Sequence, residues 1–216
     1  MRRIVQFALA LAAAVAAHPE IIDRVAVTVD RVVITESDLI THLRVAAFLN
    51  GEPVRLTPEA KRQAARQMVE QVLVRREMAI SRYPAPSPED VEPLLESVLK
   101  QRGLDRTKLE EALAAYRLTE QDIRESLLLQ LTLLRFIEYR FRPGVAVSDE
   151  EIEEYYRNEF LPDWERRNDA PPPGIEDVRD EIEEILIERH VDAALDRWLE
   201  QALKQAKIEY RREAFQ

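Results

Sequence analysis

Cysteine is absent from the 216 residues, and glycine occurs only four times. Without cysteine there is neither a disulfide framework nor a lipid-modified cysteine behind a leader peptide. So little glycine argues against phosphate-cradling loops and against a large turn-rich β domain. Basic residues are also in deficit, 31 against 41 acidic ones, for a net charge of −10. An acidic chain repels phosphate backbones, and no basic stripe interleaved with aromatics is present, so nucleic acid is not an expected partner. Histidine is scarce: His18, His42 and His190 are the three. They lie far apart in sequence and have no thiolate beside them, whereas a zinc or iron site needs several convergent ligands. No G-x-S-x-G elbow, Walker loop or dinucleotide fingerprint occurs. No metal, cofactor or catalytic group is therefore assigned.

Long uncharged runs are missing too, except at the start. There, Arg2 and Arg3 precede an uncharged, mostly apolar stretch from Ile4 to Ala17 that ends in small residues. This is the three-part layout of a secretory signal peptide, with cleavage near Ala16 or Ala17. The stretch is shorter than the ~20 residues of a membrane-spanning helix. The reading is a cleaved leader over 1–17 and delivery to a bacterial periplasm, with no stable membrane insertion. Loss of the two arginines makes the remainder more acidic still.

What is present reads as helix. DRVAVTVDRVVIT holds two β-branched runs meeting at Asp30 and Arg31, with Val25, Val27 and Val29 alternating, and predicts a short hairpin. Four Ser/Thr-x-x-acid capping boxes, at Thr35–Asp38, Ser87–Asp90, Thr119–Asp122 and Ser148–Glu151, mark helix starts, and Thr57-Pro58 marks a fifth. The expected helices run over 37–49, 58–82, 88–102, 105–117, 119–141, 149–160 and 175–206. Gly103 and Pro143-Gly144 serve as stops. The segment from Leu127 to Ile137 is apolar nearly all round, as expected for a helix at the centre of the core. Ile187, Val191, Ala194, Leu195, Trp198, Leu199 and Ala202 form one stripe along the last helix. KIEYRR, Lys207 to Arg212, alternates like a strand able to pair with the hairpin.

Acidic runs such as EEIEEYY and EDVRDEIEEI read as solvated helix faces. One constellation stands out: Tyr155, Tyr156, Phe160 and Trp164, with Tyr156 and Phe160 four apart on one face. Such rings either pin a peripheral helix to the core or hold extended apolar segments of another chain. Pro162 is expected to end their helix, leaving Trp164 beyond the break. Pro171-Pro172-Pro173 predicts a stiff, extended, partly detached segment.

IIDRVAVTVDRVVITESDL resembles the opening of the SurA-like periplasmic chaperones and related parvulin-type foldases. The resemblance is carried by Asp23-Arg24, the valine alternation, and Val33-Ile34-Thr35 leading into Ser37-Asp38-Leu39. IEDVRDEIEEILIERHVDAALDRWLEQALKQAKIEYR is similar to the family's closing helix and terminal strand, with Trp198 and Leu199 in place. VSDEEIEEYYRNEF looks like the segment leading into the isomerase domain. In this chain only Leu161 to Gly174 separates lead-in from closing helix, far below the ~40–50 residues a domain needs. The resemblance thus implies the chaperone module without its isomerase: no enzyme, and no catalytic residue.

The expected fold is mainly α, a multi-helix chaperone core with a small β element made of an N-terminal hairpin and a C-terminal strand. Its parts are the leader (1–17), an N-terminal chaperone region (18–146), a lead-in helix and proline-rich linker (147–174), and the closing helix and strand (175–216). The expected function is ATP-independent binding of extended apolar or aromatic segments of unfolded or partly folded envelope proteins, including outer-membrane β-barrels. The alternative is an envelope scaffold with one dedicated folded partner. Client-binding candidates are Tyr155, Tyr156, Phe160 and Trp164, and a cleft wall around Phe48, Met68 and Phe136.

Overall fold

A computed structural model describes residues 23–216. The expected leader over 1–17, and His18, lie outside the described residues. Strands β1 (Val25–Val29) and β2 (Val32–Thr35) form the hairpin, and β3 (Ile208–Tyr210) adds to it in the antiparallel order β2-β1-β3. Between them run helices α1 (Glu36–Asn50), α2 (Pro58–Ser81), α3 (Glu92–Gln101), α4 (Arg106–Tyr116), α5 (Glu120–Arg140), α6 (Asp149–Tyr155), α7 (Leu161–Arg167) and α8 (Ile175–Gln205). A 3₁₀ turn over Pro88–Val91 leads into α3. The fold is mainly helical with a hairpin-plus-terminal-strand sheet, as the residue pattern predicts.

The hairpin turns without glycine because Asp30 adopts the left-handed conformation, φ 51°, one that Asp tolerates better than most residues. Its carboxylate accepts from Arg76 at 2.6 Å and from the Lys207 backbone N–H at 2.9 Å, and its own N–H donates to the Lys207 carbonyl at 2.8 Å. One side chain therefore holds together the turn, α2 and the start of β3. A register shift between Val25 and Val27 turns Ala26 and Val27 both inward and leaves Val25 exposed. The strict alternation expected along β1 fails at that bulge.

Capping is as the sequence predicts at Thr35, Thr119 and Ser148, each exchanging bonds with the acid three residues on. At Ser87 the Asp90 carboxylate accepts from the Ser87 N–H at 2.8 Å. Gly51 ends α1 at φ 72°, where a Cβ would run into the Arg102 guanidinium, itself lying over the Phe48 ring at 5.3 Å.

Four apolar clusters follow. The first joins the sheet to α1, α2, the end of α8 and Phe215. The second fills the space among α1, α3, α4 and the first half of α5. The third sets Phe136 of α5 against Val74 and Met78 of α2, with Leu195 and Trp198 of α8. The fourth is separate: Ile152 of α6 with Val178, Ile182 and Leu186 of α8. Helix α8, with 31 residues and so ~46 Å long, runs from this outlying cluster into the sheet. Its first half belongs to the outlying arm, and its second half completes the core.

Two expectations are corrected. The apolar segment of α5 is not buried all round: Leu127 and Phe136 are, while Leu134 stands 56% exposed. The arm formed by α6, α7 and the start of α8 packs on itself instead of folding back over that face. The helix also does not end at Pro162. A π-helical turn over Tyr156–Phe160 precedes α7, with the Leu161 N–H donating to the Tyr156 carbonyl. The wider turn re-registers the bonding, so the donor missing at Pro162 falls in the first turn of the next segment, where proline is tolerated.

Candidate functional site: an aromatic ladder on the arm

Because the helix continues through Pro162, Trp164 stands in line with the rings before it. Tyr156 stacks on Phe160 with ring centres 5.6 Å apart and planes 15° from parallel, and Phe160 stacks on Trp164 at 5.9 Å and 25°. Offset stacks of this kind contribute about 0.5–1.5 kcal/mol each beyond buried area. The two ends of the ladder are polar, and each finds a carbonyl in the return segment. The Tyr156 hydroxyl donates to Pro173 at 2.7 Å, and the Trp164 Nε1–H donates to Ala170 at 3.0 Å. The proline-rich return is thus fastened to the ladder at both ends, where the sequence predicts partial detachment.

One side of the ladder faces protein and the other faces solvent. Tyr155, Tyr156 and Phe160 rest on the arm cluster around Ile182 and remain half-buried, as does Trp164. Beside them lies an open groove of about 580 Å³, walled by Tyr155, Phe160, Trp164, Val178 and Ile185 and rimmed by charge. Tyr155 also carries the Arg189 guanidinium over its face at 4.9 Å. The rings pin the arm helix to its own cluster and not to the main core.

Ion pairs line the seam. Arg189 donates to both oxygens of Glu159 at 2.7 Å, holding that carboxyl below the usual glutamate range. Glu151 is likewise held low by hydrogen bonds from Ser148, and it lies 3.2 Å from His190. Arg179 reaches Asp149 at 2.8 Å, and Arg142 reaches both oxygens of Glu184 at 2.8 and 2.7 Å.

The cleft wall assigned to Phe48, Met68 and Phe136 does not exist as one surface. The three residues lie in three different clusters. Phe48 and Phe136 are fully buried, and Met68 is half-buried against the sheet core. Phe136 is enclosed by Phe141 at 5.4 Å and Trp198 at 4.8 Å. Tertiary packing closes off Phe48 and Phe136.

Sequence reasoning missed three exposed apolar or aromatic side chains on the last turns of α2 and α5: Ile80 at 69% exposed, Leu134 and Tyr139. A shallow groove among α1, α2 and α5 is lined by Val45, Leu49, Leu129 and Leu133. The only available signal was the excess of leucines on α5 over the number one buried face accommodates. His42 meets Gln67 at 3.2 Å, and among the described residues no group of three His, Cys, Asp or Glu is placed to hold a metal. Among the same residues no helix is long and apolar enough to cross a membrane. No protein-family model matches the chain, and no curated protein matches it significantly.

Proposed function

We infer that the chain is a periplasmic, ATP-independent chaperone that holds extended apolar or aromatic segments of unfolded envelope proteins. The observation that carries this reading is the half-exposed ladder Tyr156–Phe160–Trp164 beside an open groove. Aromatic rings give large contact area at small entropic cost, and side chains of an extended client can stack on a row of them without sequence selectivity. The π-helical turn beneath the ladder is a feature frequent at functional sites. The surplus of acid keeps a loaded complex dispersed. The reading assigns no covalent chemistry to the chain.

The test is suppression of aggregation when a denatured outer-membrane β-barrel protein is diluted into buffer with equimolar protein and no ATP. Protection is expected, and it should fall several-fold in the Tyr156→Ala/Phe160→Ala/Trp164→Ala variant. Absence of protection by the parent protein overturns the reading. In a second assay the protein should leave X-Pro isomerisation in a short peptide at its uncatalysed time of about tens to hundreds of seconds.

A further inference from the structure

At the far end of the molecule from the ladder, Arg62 and Arg66 of α2 and Arg212 of the terminal turn surround a pocket of about 610 Å³. Its remaining walls are Tyr210, Phe215 and Gln216. The two rings lie 6.3 Å apart, Phe215 buried and Tyr210 half open to the cavity side. Arg66 and Arg212 pair with no carboxylate among the described residues, and Arg62 meets only Glu59 at 3.4 Å on the exposed helix surface. Glu70, one turn beyond Arg66 on α2, feels that guanidinium, while burial pushes its carboxyl up. Lys61 is already engaged by Glu36 at 2.7 Å and by the backbone oxygens of Ala214 and Gln216.

Guanidinium groups are planar forks that match a carboxylate with two parallel bonds, and they tolerate partial desolvation better than ammonium. Tyrosine and phenylalanine rings beside them select an aromatic or apolar group carried next to that carboxylate. A polyanion is disfavoured, because the net charge of −10 repels every further phosphate. We propose that this pocket binds a carboxylate carried beside an aromatic side chain, as at the free C-terminus of a peptide ending in phenylalanine. The site stands apart from the ladder and does not depend on the chaperone reading.

The experiment is calorimetric titration of the protein with a tripeptide, acetyl-Gly-Gly-Phe as the free acid, and with its C-terminal amide. The free acid should bind and the amide should bind at least tenfold more weakly. Equal binding of the two, or no saturation of either at millimolar concentration, overturns the proposal. Arg66→Ala/Arg212→Ala should weaken the free acid at least tenfold at an unchanged melting temperature. Arg66→Lys/Arg212→Lys should recover only part of the loss, since it keeps charge and loses the fork. Binding unaffected by the double alanine variant places the ligand elsewhere and overturns the site. Competition by acetylphenylalanine separates a small aromatic acid from a chain end, the tripeptide binding more tightly in the second case. Inorganic phosphate competing as well as acetylphenylalanine overturns the aromatic half of the proposal. The triple alanine variant of the ladder should retain full affinity, so failure here and failure of the chaperone reading are distinguishable.

Discussion

The core and the arm are built from the same helical vocabulary, yet they are held differently. The core encloses Phe48 and Phe136 completely and is knotted by contacts remote in sequence, such as Asp30 to Lys207 and Lys61 to Ala214. The arm buries only Ile152, Val178, Ile182 and Leu186. Its aromatic rings stop half-way, and its seam is ion pairs such as Glu159 to Arg189. The arm's apolar cluster is small, four buried side chains at about 1.5–3 kcal/mol each, and it is built on the first half of α8, whose far half is anchored in the core. On the proposed chaperone function, that arrangement suits a surface that accepts varied chains, since the arm can adjust without disturbing the part that holds the fold.

Each region carries one tryptophan, Trp164 in the arm and Trp198 in the core, and the chain has no others. The most severe way to break the comparison is to end the chain at Gly174. This removes Leu195 and Trp198 from beside Phe136 and removes Ala202, Ile208, Ala214 and Phe215 from the sheet cluster. Losses of this size rival the whole stability of a domain, about 5–15 kcal/mol. Aggregation, or loss of a cooperative melt by circular dichroism, is expected. A soluble product with an unchanged melt would show that the core is complete without α8.

Two point substitutions then separate the regions. Phe136→Ala empties a fully enclosed site and is expected to destabilise the whole protein by about 3–5 kcal/mol. Both tryptophan signals should shift together in a urea titration. Ile182→Ala removes a residue equally buried but in the arm, where the change of about 2–5 kcal/mol falls on local opening. The Trp164 signal should move to lower urea and the Trp198 signal stay, read in Trp198→Phe and Trp164→Phe backgrounds respectively. Coincident shifts for Ile182→Ala would mean that arm and core unfold as one unit.

The part of this division legible in the sequence is the local part. Thr35, Thr119 and Ser148 announce helix starts because a cap is satisfied within four residues, and the stripe on α8 is visible because helical period is local. The pairing of β3 with the hairpin was legible from alternation in both segments, but not that β1 is its partner. What stayed hidden depends on partners far away. The bulge at Ala26 answers to the packing of the sheet, and Leu134 is exposed because the arm does not return to cover it. Pro162 is a breaker by its own chemistry, and only the π-helical turn before it lets the ladder reach Trp164. The candidate site was thus half legible: the arm rings were identified, while Phe48 and Phe136 were assigned to a surface that the packed core does not possess.

The ladder itself gives a smaller stability effect than either buried residue. Tyr156→Ala/Phe160→Ala/Trp164→Ala deletes two stacks and the two tethers to Pro173 and Ala170. The rings are half-buried, so the loss should fall on the arm, with the Trp198 transition moving by about 1 kcal/mol or less, in the range of surface changes. A Trp198 transition shifted as far as by Phe136→Ala would make the ladder part of the core and remove the distinction between the regions.

The smallest expected effect concerns acid. Glu159 in the folded arm has its carboxyl depressed by Arg189. A depressed carboxyl stabilises the folded state above the unfolded value, about 4.3, and that contribution disappears as pH falls through the folded value. At pH 7 Arg189→Ala should therefore lower the midpoint of the Trp164 transition relative to the parent protein. As pH falls through the folded value and Glu159 becomes protonated in both states, the two proteins should draw together. Because the pair is largely exposed, the shift is modest and shrinks further in 0.5 M salt. Arg189 also covers the Tyr155 ring, a contact that protonation of Glu159 leaves in place, so a residual gap at low pH measures the ring contact alone. A gap between parent and variant that stays constant from pH 7 to pH 3 would show that Arg189 acts through Tyr155 only, and that the seam of the arm is held by rings and not by charge.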